Sequence, residues 1–183
     1  MPHGTPISTW ADSSGNGNHA TNADPLAQPA YIGDGSGPGG QPGLRFAGPG
    51  ADADSLVGTF GAATTTEKTI YAVIIDTGST DACCTGIIYM TTGGRNGLAI
   101  VNAGGVRQKA VDRHSSTLAY NFDELNRPTI GTAVYGTGFT RLYLDGTLVR
   151  NNGATWGQSL SSFYVGSRGG PGRSFRGDIF EIL

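Results

Sequence analysis

The residues best suited to chemistry begin with a short polar segment near the N-terminus, DSSGNGN. Asp12 supplies a carboxylate, and Asn16 and Asn18 supply amide oxygens, with glycines between them. Calcium prefers about six to eight oxygen ligands of these kinds, so the segment is a candidate Ca²⁺ site. The same residues also form Asx turns without any ion, and this alternative stays open. Asp52 and Asp54 are a second candidate pair, with a solvated loop tip as the alternative.

Sugar binding is a second chemistry that the residue types allow. It uses exposed aromatic rings that stack on sugars, next to polar groups that bind hydroxyls. Trp156 in the polar segment NNGATWGQS is the first candidate, followed by Tyr120 and Phe122 in AYNFDELNR. Trp10 is expected to pack in the core instead. For each of these aromatic residues, the alternative is a loop anchor that contacts no ligand.

Other catalytic and metal-binding patterns are missing from the sequence. His3, His19 and His114 are far apart, and no Ser-His-Asp or Cys-His arrangement accompanies them. Cys83 and Cys84 are adjacent, so in a strand they point to opposite faces and pair poorly. We expect both to be reduced and packed, with a strained vicinal disulfide as the alternative. No CxxC spacing supports zinc, and no GK[ST] sequence supports a phosphate loop.

Composition favours a β protein. The chain has 12 Lys and Arg against 14 Asp and Glu, which argues against a nucleic-acid surface. The 31 glycines, with many Thr, Ser and Asn residues, suit short strands joined by tight turns. No run of about 18 apolar residues predicts a membrane span, and no secretory signal is visible.

A β-hairpin is the clearest structural feature of the sequence. FTRLYLDGTLVRN contains two short runs rich in Leu, Val, Tyr and Thr, joined by an Asp-Gly pair. Asp-Gly supplies the positive φ angles of a type I′ turn, which fixes the register. Leu144 then pairs with Thr147 and Leu142 with Val149, and we expect this face to look into a core. The other face carries the pairs Tyr143 with Leu148 and Arg141 with Arg150.

Further strands recur at regular intervals and predict one all-β domain, a two-sheet antiparallel β-sandwich of jelly-roll type. TIYAVIID is apolar on both faces, which is typical of a central, covered strand. Helical periodicity is missing, and SSTLAYNFDELNR is expected to form at most one helical turn. The predicted strands outside the hairpin are Leu44–Ala47, Ser55–Phe60, Thr69–Thr77, Thr85–Met90, Gly97–Val101, Gly105–Asp112, Pro128–Tyr135, Ser162–Gly166 and Phe175–Leu183.

Four motifs resemble those of laminin-G-like domains in the concanavalin A-like lectin/glucanase superfamily. GLRFAGPGADADSLVG resembles that family's G-x-x-F-x-G element, RLYLDGTLV its L-Y-x-D-G hairpin, and FYVGSRGGPGRSFRGDIFEIL its F-x-I-G and G-D-I-x-E strands. Family members usually continue past this last strand, so we expect a domain over residues 1–183 that is truncated at its C-terminal edge. The opening motif W-x-D-x-S-G-N-G-N-x-A/G is matched by Trp10, Asp12, Ser14, Gly15, Asn16, Gly17, Asn18 and Ala20.

The resemblance carries implications for chemistry. Related domains often hold Ca²⁺ at one rim, and their last strand returns near the first. Glu181 or Asp178 is then expected to join Asp12, Asn16 and Asn18 as a calcium ligand. Glucanases of the superfamily carry E-x-D-x-x-E on one strand, but the first carboxylate position here is an arginine. A retaining glycosidase needs two close carboxylates, so this match argues against hydrolysis. The RGD tripeptide in this strand is expected to be coincidental.

The resemblance implies a non-catalytic binding or adhesion module of an extracellular, cell-surface or virion protein, with a glycan or a protein as its ligand. The first alternative is a structural decoration or appendage domain of a larger assembly, whose exposed edge strands pair with neighbouring chains. A glucanase-like or lyase-like enzyme is the third possibility. No nucleic acid and no membrane insertion are expected.

Overall fold

The computed structural model describes residues 1–183 except residues 34, 36, 49–52, 63–65, 80–83, 92–94, 104–105, 114–115, 123, 156–158 and 170–172, and the side chains of residues 84, 91, 95, 103, 112, 113 and 116. The described residues form fifteen β-strands and two short 3-10 turns, at Pro25–Ala27 and Pro38–Gly40. Neither of these turns is long or apolar enough to cross a membrane.

The strands form two antiparallel sheets, which confirms the predicted all-β sandwich. The eight-stranded sheet contains, in spatial order, β1 (Thr9–Trp10), β2 (Ala20–Thr21), β5 (Leu56–Thr59), β14 (Ser162–Val165), β7 (Cys84–Thr91), β8 (Arg95–Ala103), β9 (Val106–Arg113) and β10 (Ser116–Asn121). The seven-stranded sheet contains β13 (Thr147–Asn152), β12 (Phe139–Leu144), β11 (Pro128–Gly136), β6 (Lys68–Asp76), β15 (Arg176–Ile182), β4 (Gly43–Ala47) and β3 (Ala30–Ile32).

Strand β6 lies in the middle of the seven-stranded sheet, between β11 and β15, as its apolar sequence predicted. Ile70, Ala72 and Ile74 are each 1% exposed and belong to the core between the sheets. Their neighbours on the opposite face are only half-buried. The core is also crossed by Tyr135, whose hydroxyl accepts a hydrogen bond from the Gly97 main-chain N–H at 2.9 Å. This buried bond ties the two sheets together.

The hairpin forms with its predicted turn, but the register changes after two pairs. Asp145 and Gly146 have φ angles of 49° and 78°, as a type I′ turn requires. A β-bulge then makes Val149 an extra residue, so that Leu142 pairs with Arg150. The predicted pair of Leu142 with Val149 is therefore wrong. A bulge re-aims the side chains that follow it, and Arg150 now lies on the face that looks toward the other sheet.

Strand β10 was missed by the sequence analysis, which allowed only a helical turn there. Ser116–Asn121 pairs with β9 over its full length, with Tyr120 opposite Lys109. The apolar residues Leu118, Tyr120 and Phe122 alternate, and all three pack against the core. This alternation is the strand signal, and the polar residues around it obscured it.

The glycine-rich segment near residue 40 packs onto the sandwich and is not a linker. A Cβ atom at Gly37 would lie 2.4 Å from the ring of Phe180, and one at Gly43 would lie 2.6 Å from it. Phe180 is the extra residue of a bulge in β15. Glycine is required at both positions because the main chain approaches this ring so closely.

Candidate functional site

The Asp12 loop, residues 12–18, is held by hydrogen bonds between its own residues. Asp12 Oδ1 accepts the Ser14 N–H at 2.8 Å, and Asp12 Oδ2 accepts the Ser14 hydroxyl at 2.8 Å and the Asn18 N–H at 2.9 Å. The Asn18 amide oxygen accepts the Gly61 N–H at 3.1 Å. The Asn16 amide donates to the Ser14 hydroxyl at 3.0 Å. These are the Asx-type contacts that stood as the alternative to a calcium site.

The hydrogen bonds also set the charge of the loop. The main-chain and hydroxyl groups of Ser14, followed by the Asn18 N–H, lower the pKa of Asp12 to about 2. The carboxylate is therefore ionised near neutral pH. Among the described residues, no three His, Cys, Asp or Glu side chains gather at one place. Calcium also binds amide and main-chain oxygens, so this leaves the calcium site untested. Calcium binding by Asp12, Asn16, Asn18 and Glu181 stays a prediction.

A cleft of about 790 Å³ lies between the N-terminal segment, the glycine-rich segment and the seven-stranded sheet. Its aromatic lining residues are Trp10, Tyr31 and Phe180, all of them half-buried. The exposed polar residues Gln41 and Glu181 also line the cleft. We call this feature the Trp10 cleft. Its size and its mixture of apolar walls with a few polar groups are those of a small-ligand site.

The last strand thus returns near the first, as the resemblance implied, because Glu181 and Trp10 line the same cleft. Asp178, on the same strand, is 5% exposed and is paired with Arg45. The Arg45 guanidinium donates to both carboxylate oxygens of Asp178, at 2.8 and 2.9 Å. Asp178 and the RGD tripeptide are therefore part of a paired strand and not of an exposed loop.

The predicted sugar-binding residues Tyr120 and Phe122 lie away from the Trp10 cleft, where the edge strand β10 of one sheet faces the edge strand β13 of the other. Both rings are half-buried, and each carries a cation over its face. The Lys109 ammonium lies 3.6 Å from the Phe122 ring centroid, and the Arg150 guanidinium lies 4.9 Å from that of Tyr120. We call these four residues the basic aromatic cluster. Arg150 Nε also donates to the Ala119 carbonyl at 2.8 Å, which links β13 to β10.

Lys109 and Arg150 were not found by the sequence analysis. Lys109 and Val111 are two residues apart in β9 and lie on the same, core-facing side of the strand. The chain has only two lysines, and one of them at a position where the pattern expects an apolar residue could have been noticed in the sequence. Burial lowers the pKa of Lys109 to about 8, although the nearby carboxylates of Asp76, Asp145 and Glu124 favour its charged form. Arg150 gave no such signal, because the bulge that redirects it depends on the fold.

Some of the sequence predictions lie outside the described residues. Trp156, Asp52, Cys83 and His114 belong to them, and the side chain of Cys84 does as well. Predictions about these residues stay untested.

Asp54 is described, and it is not a solvated loop tip. It is 7% exposed, and its carboxylate accepts the Ala47 N–H at 2.6 Å. A buried carboxylate that accepts a main-chain N–H has a structural use, because it satisfies the amide at the end of β4.

The geometry defines the protein as a two-sheet antiparallel β-sandwich, with a cleft against the seven-stranded sheet and a basic aromatic cluster where β10 faces β13. No protein-family model matches the chain, and no curated protein matches it. Solved structures with the same fold do match, all at identities that show the fold alone. The narrower laminin-G assignment stays a prediction.

Three of these structures represent the range. A sialidase mutant of Trypanosoma rangeli with trans-sialidase activity matches with a TM-score of 0.63 at 15% identity, over 98% of this chain and 29% of that one. Domain 4 of a GH43 extracellular arabinanase from Geobacillus stearothermophilus, solved with arabinotriose, has a TM-score of 0.60 at 12% identity, over 99% and 92%. The enzymatically active domain of tailspike protein 2 from bacteriophage CBA120 has a TM-score of 0.59 at 18% identity, over 85% and 27%. The chain thus spans about a quarter of that tailspike domain.

Proposed function

We propose that this domain is a non-catalytic glycan-binding module of an extracellular, cell-surface or virion protein. The observation that carries the proposal is the Trp10 cleft, which combines three aromatic side chains with exposed polar groups. Aromatic faces stack on sugar rings, while carboxylate and amide groups bind sugar hydroxyls. The matching arabinanase domain, which this chain covers almost end to end, was solved with a bound oligosaccharide and so supports this choice.

The proposal excludes bond cleavage in the cleft for a physical reason. Glycosidases act with two carboxyl groups that flank the scissile bond. Glu181 is the only acidic residue among the described residues that line the Trp10 cleft. Asp178, the other carboxylate of the glucanase-like match, is held by Arg45 in a two-point ion pair. One unpaired carboxylate suits hydroxyl recognition better than catalysis.

A panel of immobilised oligosaccharides, neutral and acidic, tests the proposal with the purified domain. We expect at least one neutral oligosaccharide to be retained and to be recovered intact. Glu181→Gln should weaken this binding about tenfold, because an exposed carboxylate that accepts two hydroxyl hydrogens becomes a poorer acceptor. Leu148→Ser, an exposed change on β13 outside the cleft, is the matched control and should bind normally.

Two results would contradict the proposal. In the first, no sugar of the panel binds the wild-type domain. In the second, a sugar binds equally well to wild type and to both Glu181→Gln and a second cleft variant, Trp10→Phe. Trp10→Phe keeps an apolar ring in place, so loss of binding without loss of folding can be attributed to the cleft. Circular dichroism of each variant monitors the fold.

The alternative function, a structural domain in a larger assembly, is supported by a different observation. The outer face of the seven-stranded sheet carries half-buried apolar side chains from Tyr71 and Ile75, next to Val73 and Ile130, which also line the Trp10 cleft. Leu148 at the edge of this sheet is 47% exposed. Apolar surface of this kind can pack against another chain. Light scattering of the purified domain tests it, because a self-assembling domain would be oligomeric at micromolar concentration and a binding module would be monomeric.

A further inference from the structure

The basic aromatic cluster is formed by Lys109, Tyr120, Phe122 and Arg150, none of which lines the Trp10 cleft. Lys109 and Tyr120 are directly opposite each other in the β9–β10 ladder, and Phe122 follows two residues later on the same face. Arg150 comes from the other sheet, where the bulge at Val149 turns it toward β10. Two cations and two aromatic rings thus meet in the gap between the sheet edges.

The described carboxylates that favour the charged form of Lys109 already have partners. Asp76 accepts the N–H groups of Gly78 and Ser79 at 3.0 and 3.1 Å, and its other oxygen lies 3.7 Å from Arg107 Nε. Asp145 accepts the Ile130 N–H at 2.8 Å and pairs with Arg127 at 3.1 Å. These contacts hold the negative charges close to their own donors.

Glu124 is occupied as well, because it pairs with Arg127. Within the part of the chain that the structure describes, neither Lys109 nor Arg150 has a carboxylate within ion-pair distance. Among the described residues, these acids therefore pair with Arg107 and Arg127 and leave Lys109 and Arg150 without an acidic partner.

Lys109 is an unusual residue because it is 4% exposed and yet lacks a hydrogen-bond acceptor among the described residues. Its ammonium lies over the half-buried Phe122 ring, and the exposed Arg150 side chain completes the cluster on the solvent side. A buried lysine normally finds a carboxylate or carbonyl oxygen. A cation–π contact attracts the ammonium group, but it does not provide an oxygen acceptor for any of its three N–H donors.

We propose that the basic aromatic cluster is a second binding site, which takes the oxyanion of an acidic sugar. The carboxylate of a sugar acid and the sulfate of a sugar ester share the required chemistry, a single negative charge spread over several acceptor oxygens. Lys109 and Arg150 would donate hydrogen bonds to this group, and both donors carry the charge that strengthens such bonds. Tyr120 and Phe122 would contact the sugar ring with the parts of their rings that the cations leave exposed.

Methyl glucuronide and glucose 6-sulfate are the probes, with methyl glucoside as the neutral reference at the same ionic strength and near neutral pH. Chemical-shift changes in the amide spectrum of the wild-type domain report the affinity of each. We expect one of the two acidic sugars to bind about tenfold or more tightly than methyl glucoside, with shifts in β9, β10 and β13. The probe that binds better identifies the carboxylate or the sulfate as the preferred oxyanion.

Lys109→Met keeps the length of the side chain and removes its charge, and it should abolish this preference while the protein stays folded. Arg141→Gln is the matched control, because Arg141 also lies over an aromatic ring, that of Phe139 at 4.2 Å, but on the outer face of its sheet. This control should keep the preference. The proposal is overturned if neither acidic sugar exceeds methyl glucoside, or if Lys109→Met keeps the preference. It is also overturned if both variants lose it equally, which would indicate general charge attraction. None of these outcomes depends on the Trp10 cleft.

Discussion

The Asp12 loop and the basic aromatic cluster both concentrate polar groups in a small volume, but they differ in what remains unpaired. In the loop, each oxygen of Asp12 accepts hydrogen bonds from neighbours within six residues. In the cluster, two cations meet two rings and no carboxylate among the described residues. The Asp12 carboxylate is thus satisfied within its loop, whereas the Lys109 ammonium has no acidic partner among the described residues.

The difference follows from how each region is assembled. A short segment rich in Asn, Asp, Ser and Gly finds donors and acceptors along its own backbone, so its hydrogen bonds are local. The cluster is assembled from three strands in two sheets. Arg150 donates to the Val149 and Ala119 carbonyls, but no carboxylate pairs with Lys109 or Arg150 among the described residues. Cations that tertiary structure brings together without an opposite charge are therefore the basis of the proposed binding site.

The largest expected effect in this comparison is on stability. Lys109→Met should raise the free energy of unfolding near neutral pH by up to about 3 kcal/mol, because the lowering of the Lys109 pKa from 10.5 to about 8 measures the cost of its buried charge. Urea unfolding of the wild type and the variant measures the change. A destabilised variant would mean that the ammonium has a partner of structural importance.

The difference in unfolding free energy between Lys109→Met and the wild type should depend on pH. Below about pH 8 both the folded and the unfolded protein carry the Lys109 proton, and the cost of the charge is fully present. Between about pH 8 and 10.5 the unfolded state binds more protons, so the wild type gains stability with rising pH. The advantage of Lys109→Met should therefore shrink over this window. Asp76, Asp145 and Glu124 raise the Lys109 pKa and Arg107 lowers it, so each must stay unchanged in the comparison.

A smaller effect is expected from Arg150→Gln, which removes the hydrogen bond from Arg150 Nε to the Ala119 carbonyl. A single hydrogen bond of this kind contributes about 1 kcal/mol. Hydrogen exchange should show faster opening of β10, the outermost strand of its sheet, with little change in β6. Equal acceleration in both strands would show that the two sheet edges do not open separately.

The smallest effect on global unfolding is expected from Asp12→Asn, because the loop is exposed and its contacts are local. The ionised carboxylate stabilises the folded state above the ordinary pKa of 3.8, and this contribution is lost as the pH falls toward about 2. The difference in melting temperature between wild type and variant should therefore disappear in acid. A difference that persists below about pH 2 would indicate that the charge of Asp12 is not responsible.

The calcium prediction is tested by the melting temperatures of the wild type and Asp12→Asn, each treated with EDTA and then measured with and without added calcium. A bound ion raises the melting temperature by mass action, and Asp12→Asn should abolish that rise. An unchanged melting temperature in the wild type would contradict the calcium site and leave the hydrogen bonds as the support of the loop.

Local patterns made much of the fold predictable. The Asp-Gly turn, the central strand β6 and the strand spacing were correct because hydrophobic alternation and turn residues act over a few positions. The bulge at Val149 was not predictable, because nothing in its own sequence distinguishes it from a regular pair. The extra residue Val149 determines which face of the sheet Arg150 occupies, so the position of Arg150 in the cluster was not predictable either.

The candidate sites were less predictable for a similar reason. Trp10 packs against the core as expected, but it also lines the cleft, because β1 lies at the edge of its sheet. Tyr120 and Phe122 were proposed from their residue type alone, while their cations come from β9 and β13. Clefts and unpaired charges depend on distances between strands that are remote in sequence.

The central claim is that the domain binds a sugar in the Trp10 cleft without cleaving it. The chain has two tryptophans, and their indole N–H signals in a nitrogen–proton spectrum can be assigned with Trp10→Phe. Titration with arabinotriose and the sugars retained by the panel should shift the Trp10 signal, and the sugar should remain intact. A shift of the Trp156 signal alone would place binding at the residue chosen from sequence and contradict the cleft. No shift in either signal, or cleavage of the sugar, would contradict the claim as a whole.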